Sequence, residues 1–182
     1  MHRPLPILLL CLVSSWATAE IRELRWSELV PADAPPPGPP AAMHDLSQLA
    51  DVLAAENGPA AAQQHPNAPV VQALDGLEVR LPGYIVPLEI SEQERVVEFL
   101  LVPYFGACIH VPPPPSNQIV HATSEPGVKV EQLYQPFWIE GPLRVEPASS
   151  ELAEAGYSMQ AQRIFPYDLP RTAGVAQLVR AT

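Results

Sequence analysis

Cysteine is scarce in this chain of 182 residues, with only Cys11 and Cys108. Cys11 falls in an N-terminal run that reads as a removable export signal, so the mature protein keeps a single thiol. One thiol closes no internal disulfide. In an exported chain it must be buried, bound to metal, paired with another chain or chemically used. Positive charge is scarce as well: 10 Lys and Arg stand against 20 Asp and Glu, a net charge of −10. Such a surface repels nucleic acid and anionic headgroups, which excludes nucleic acid as a partner. No apolar run is long enough to span a bilayer comfortably, so no stable membrane anchor is expected. Signatures of common enzymes are missing too: there is no G-x-S-x-G, H-E-x-x-H, P-loop or Rossmann glycine pattern. The acid pairs Glu89/Glu92 and Glu151/Glu154 fall in expected loops and read as solvated surface, so the sequence leans away from an enzyme.

What is present begins with the signal. Met1-His2-Arg3 is positive, PLPILLLCLVSSW is apolar, and Ala17-Thr18-Ala19 supplies the small-x-small pattern for cleavage before Glu20. A lipidated Cys11 is disfavoured because Leu10, not a small residue, precedes it. The expected location is the periplasm, in soluble form. Cleavage removes Arg3 and no acid, which moves the net charge from −10 to −11.

Residues 20–69 read as a proline-rich N-terminal segment in which Ile21, Leu24 and Trp26 are able to dock on something. PADAPPPGPPAA supports neither a helix nor a sheet interior. Leu46, Leu49, Val52 and Leu53 recur at helical spacing, so a short amphipathic helix is expected at about 45–55. Residues 70–168 form the expected folded domain. Its strands are 77–89, with Gly83 marking a bend, then 95–104, 118–123, 136–147 broken at Gly141-Pro142, and 157–166; a helical turn or short helix is expected at 128–134. Three strands, a helix and two more strands fit a mainly β fold, a small five-stranded OB-like Greek-key barrel, with an open antiparallel sandwich as the alternative. The tail 169–182 contains GVAQLVRA, which resembles a conceptual read-through of a transfer-RNA gene. It is expected to be non-native or disordered, and no function is assigned to it.

The chemically unusual stretch is FGACIHVPPPPSNQ, 105–118. In extended chain Cys108 and His110 point to one side, as two ligands of one soft ion require, and thiolate with imidazole suits zinc or copper(I). Zinc needs three or four ligands. Those remaining are His121, Glu98, His65, His44 or a partner's residue, and spacing selects none of them. The plainer alternative makes Cys108 a small buried hydrophobe on a strand and His110 a hydrogen-bonded structural residue. Pro112, Pro113, Pro114 and Pro115 form a stiff polyproline run, with amides at Asn117 and Gln118 beyond it. That loop is expected either to dock a partner or to cross the domain as a rigid connection. Tyr84, Tyr104, Phe105, Tyr134, Phe137 and Trp138 are expected mostly in the core, with a rim patch formed by some of them as the alternative.

LPGYIVPLE (81–89), EFLLVPYFGACIHVPPPPSNQIV (98–120) and FWIEGPLRVE (137–146) resemble a bacterial family of exported proteins still described as a domain of unknown function. The resemblance covers about residues 70–167 and carries over to Cys108, His110, Pro112 to Pro115, Asn117 and Gln118; His121 lies just beyond the motif. It implies genes that often neighbour a zinc-repressed ABC transporter and a histidine-rich exported protein. From it follows the expectation of a periplasmic accessory protein of zinc homeostasis, with zinc as the cofactor and a zinc ABC-transport system or another envelope protein as partner. The residue-level alternative is a non-catalytic envelope interaction module with a structural cysteine.

Overall fold

A computed structural model describes residues 20–34, 62–63, 65–108 and 111–168. The signal, the helix expected at 45–55 and the tail from 169 lie outside the described residues. Among the described residues the fold is mainly β, with nine strands and short 3-10 turns.

The long strand β2 (Glu78–Ile90) follows β1 (Arg22–Glu23) in chain order and organises the sheet. Its burial alternates through the first half, as a strand with one face in a core requires. Glu78 to Gly83 pair with β5 (Phe137–Arg144), and Tyr84 to Ile90 pair with β3 (Arg95–Val102). The change of partner falls at Gly83. A Cβ there would stand 2.8 Å from the Val102 carbonyl oxygen and 2.9 Å from Leu101, so glycine is required by close approach at the expected bend. β3 then pairs with β4 (Val120–Lys129), β4 runs parallel to β8 (Tyr157–Gln160), and β8 pairs with β5. Since β5 also pairs with β2, the ladder returns to its start. β1 adds in parallel to β2, and β9 (Arg163–Pro166) adds to β5. A separate hairpin joins β6 (Ala148–Ser149) to β7 (Glu154–Ala155).

Three local expectations change. The strand expected at 157–166 is two strands, because the chain crosses β5 at Gly141, where the Gln160 carbonyl occupies the space a side chain would need. Gly141-Pro142 does not break β5, which is continuous through both residues. The helical turn or short helix expected at 128–134 is a 3-10 turn confined to Val130–Gln132. Val128 and Lys129 instead pair with Val96 and Arg95, and the Arg95 guanidinium donates to the carbonyls of Pro126 and Gly127, holding this end of β4 extended.

Two apolar clusters lie on opposite faces of the β3–β4 ladder. The larger includes Val79, Leu81, Phe99, Leu101, Val120, Ile139, Leu143 and Tyr157. Leu24 and Leu29 belong to it and are fully buried, so the packed unit takes in residues well before 70. The smaller cluster, Val86, Leu100, Val102, Ala107, Ile119, Ala153 and Ala155, packs beneath the 103–119 connection and the β6–β7 hairpin.

Candidate functional site

β3 ends at Val102, and Pro103, lacking an N–H, cannot continue its ladder. The chain turns at once. Gly106 and Cys108 take φ of 82° and 65°, the Cys108 N–H donates to the Val111 carbonyl at 3.1 Å, and the Val111 N–H donates to the Gly106 carbonyl at 3.2 Å. Left-handed backbone is uncommon for a residue with a Cβ. Cys108 is therefore at a tight turn, partly exposed, and not on a strand as the plainer alternative supposed. Its side chain packs at the edge of the smaller cluster with Tyr84, Tyr104 and Val111. Burial pushes the thiol up from its usual range to about 11, so at neutral pH it is protonated. Ile109 and His110 lie outside the described residues, so the structure does not describe the geometry of the Cys-x-His pair.

Beyond the turn the chain becomes a brace. Pro113 and Pro114 are buried, while Pro112 and Pro115 are half-buried. Ser116, Asn117 and Gln118 form a buried 3-10 turn. The Asn117 amide donates to the Pro69 carbonyl at 2.8 Å, the Gln118 amide donates to the Trp26 carbonyl at 2.9 Å, and the Ser116 hydroxyl accepts from the Ala68 N–H at 2.9 Å. Gln63 clamps the same region, donating to the carbonyls of Pro114 and Glu154 and accepting from the Glu154 N–H. Asn117 and Gln118, read from sequence as amides of a partner-binding loop, are thus spent on internal backbone. Buried side chains with committed donors have little left to offer a partner.

Among the described residues, the other ligand candidates do not gather around Cys108. His121 Nε2 lies 2.8 Å from Glu98 Oε1, an ion pair or hydrogen bond bridging β4 and β3. His65 sits in left-handed backbone with φ 53°, and its carbonyl accepts from the Ser116 N–H. His44 is outside the described residues. Among the described residues no group of three or more His, Cys, Asp or Glu is placed to hold a metal ion.

The aromatic side chains separate more than expected. Phe137 is core, but Phe105 is 62% exposed and Tyr134 is 73% exposed. Phe105 meets the edge of Tyr84 with ring centroids 5.6 Å apart, forming an aromatic corner over the smaller cluster. From Phe99 to Ser124 the sequence has no Asp, Glu, Lys or Arg. The turn at 103–108 therefore exposes an uncharged aromatic tip on a strongly acidic protein. The sequence favoured a core for these aromatics and left a rim patch as the alternative; the exposure of Phe105 became legible only with the turn that carries it.

Sequence reasoning also left Tyr157 unassigned. It is fully buried, its hydroxyl donates to the Leu29 carbonyl and accepts from the Val71 N–H, each at 2.7 Å, and burial raises its pKa. With both partners on the backbone, the hydroxyl is structural.

The family model described as "Protein of unknown function (DUF3299)" matches residues 26–166. The crystal structure of a DUF3299 family protein from Pseudomonas aeruginosa PAO1 is similar, with 63% sequence identity, a TM-score of 0.73, and coverage of 83% of this chain and 99% of that chain. No curated protein matches.

Proposed function

The chain belongs to the DUF3299 family, and we propose that it is an exported, non-catalytic accessory protein of the cell envelope that docks a partner through the turn around Phe105. On this reading the segment 1–19 is a signal cleaved after Ala19, and the mature protein works in the periplasm. The returning ladder, with its parallel β4–β8 pair, is read as an OB-type five-stranded Greek-key barrel extended by β1 and β9.

The observation that carries the proposal is the exposure of Phe105 at 62% on a turn whose backbone is internally hydrogen-bonded. Most exposed apolar residues need no explanation, but an aromatic on a rigid support loses little entropy on entering a partner's recess. The absence of charge on the tip removes the desolvation cost that carboxylates would impose. On this reading Asn117 and Gln118, whose amides are spent on the carbonyls of Pro69 and Trp26, do not meet the partner.

The test is capture of partners from a periplasmic extract by the mature protein, Phe105→Asp and Cys108→Ala, with folding checked by thermal melting. Phe105→Asp should remain folded and lose capture, whereas Cys108→Ala should retain it. Capture undiminished by Phe105→Asp would count against the proposal.

A second reading is favoured by the position of Cys108 at a partly exposed turn. Cys108 and His110 would supply two zinc ligands there, with a zinc-transport partner completing the set, in line with a role in zinc homeostasis. The protonated thiol sets a condition on it: zinc must displace a proton that burial holds. Stoichiometric zinc in reduced mature protein, lost in both Cys108→Ser and His110→Ala, would support this reading. No zinc in any of the three proteins would remove direct binding.

A further inference from the structure

The strands β1, β2, β5 and β9 lie side by side and turn one face to the larger core. Leu81 and Ile139 belong to that core and Ile164 packs against it, so by strand alternation Arg80, Pro82, Trp138, Glu140, Arg163 and Phe165 lie on the outer face. The register sets them in two rows. Glu23 of the N-terminal strap (20–34) stands opposite Arg80, Arg80 opposite Glu140, and Glu140 opposite Arg163, an alternation of acid and base across four strands. Pro82, Trp138 and Phe165 form the next row, two residues along and about 7 Å away. The rows are tied together. Arg80 Nη2 donates to Glu23 Oε2 at 2.6 Å, and the Arg80 guanidinium carbon lies 5.0 Å from the Trp138 ring centroid. Tyr167 meets Trp138 with ring centroids 5.0 Å apart, and the Arg163 guanidinium carbon lies 5.6 Å from the centroid of Phe165. All three aromatic side chains are half-buried.

Glu140 is the unusual member. Its side chain is only 7% exposed, its Oε2 stands 3.0 Å from Arg163 Nη1 without the geometry of a hydrogen bond, and among the described residues that oxygen has no hydrogen-bond donor. An enclosed carboxylate with an unfilled lone pair favours a ligand that brings a donor. The rows decide which ligand. An anion would face Glu23 and Glu140, a cation would face Arg80 and Arg163, and either would have to disrupt an ion pair to bind. A wholly apolar partner would seal the Glu140 oxygen away unpaired. An uncharged ligand rich in hydroxyls avoids all three costs, because each hydroxyl both donates and accepts. A pyranose ring adds C–H groups on its face, which suit the electron-rich faces of aromatic rings. We propose that this outer face binds a chain of uncharged pyranose sugars, with ring faces on Trp138, Tyr167 and Phe165 and hydroxyls along Arg80, Glu140 and Arg163. Arg163, on the edge strand and 68% exposed, is the side chain whose displacement opens the Glu140 oxygen. The face is distinct from the turn around Phe105, which follows β3 and adjoins the smaller cluster.

The experiment titrates the purified protein with cellohexaose, maltohexaose and chitohexaose, reading the heat of binding and the tryptophan fluorescence. Trp138→Ala, Phe165→Ala and Glu140→Gln are titrated beside it, with Phe105→Asp as the reference. Thermal melting checks the folding of each variant, and Phe165→Ala, on the edge strand, carries the test if Trp138→Ala does not fold. At least one hexasaccharide should bind, and Trp138→Ala and Phe165→Ala should each weaken that binding at least about tenfold. Phe105→Asp should bind as the unaltered protein does. Because the ligand carries no charge, raising the salt from about 0.01 M to about 1 M should leave the affinity within about twofold. Binding of none of the three sugars at millimolar concentration would overturn the proposal, and so would binding that the Trp138 and Phe165 variants leave intact. Preferential binding of polyglutamate or polylysine, lost at high salt, would overturn it as well and assign the face to a charged partner.

Discussion

The Tyr157 hydroxyl donates to the Leu29 carbonyl at 2.7 Å across 128 positions of sequence. The same oxygen accepts the Val71 N–H, so one buried atom joins β8, the N-terminal strap and the entry to β2. Tyr157→Phe keeps the ring and leaves two backbone groups unpartnered. It should cost about 1–3 kcal/mol in urea unfolding with little change in m-value. A loss within error of zero would mean that water replaces both bonds.

Gln118→Ala and Asn117→Ala distinguish a brace from a recognition loop. Each removes an amide that satisfies a backbone carbonyl, Trp26 for Gln118 and Pro69 for Asn117. Each should lower stability by about 1–2 kcal/mol and leave capture per folded molecule unchanged. Variants of full stability and impaired capture would restore these residues to the contact surface.

Gly83→Ala tests the bend in β2. The new methyl would lie within 3 Å of the Val102 carbonyl oxygen and of Leu101, two fully buried residues with little room to shift. Destabilisation of about 1–3 kcal/mol is expected from overpacking alone. Thermal melting checks this, and an unchanged midpoint would require the ladder to open at no cost.

How much of this was legible follows the range of each interaction. Gly83 announced the bend because a glycine inside a strand pattern is a local signal, and the alternation around it set the faces. The division of 157–166 was not legible, since it depends on the Gln160 carbonyl lying over Gly141 in another strand. Val128 and Lys129 looked helical in isolation and became strand through pairing with β3. At the candidate site, Cys108 stood out by type, but its left-handed turn and the exposure of Phe105 came only with the backbone. Asn117 and Gln118 were read as outward-facing because the partners that claim them lie tens of residues upstream.

The Cys108 thiol should be slow to react. With its pKa raised to about 11 from 9.0 by burial, the thiolate fraction at pH 8 falls by about a hundredfold, and iodoacetamide labelling of folded protein should slow correspondingly relative to urea-unfolded protein. The sign for stability follows: the folded state holds this proton more tightly, so the contribution is complete below pH 9, declines between pH 9 and 11, and is lost above. Labelling as fast in the folded as in the unfolded protein would show the thiol to be solvated.

The central claim, that the turn around Phe105 is the contact surface, is tested most directly by placing a photo-crosslinking residue at position 105 of the exported protein and, separately, at Tyr134. Both positions are exposed, at 62% and 73%, so accessibility does not distinguish them. A discrete adduct from position 105 and none from 134 is the predicted result. No adduct from 105, or the same adducts from both, would contradict it.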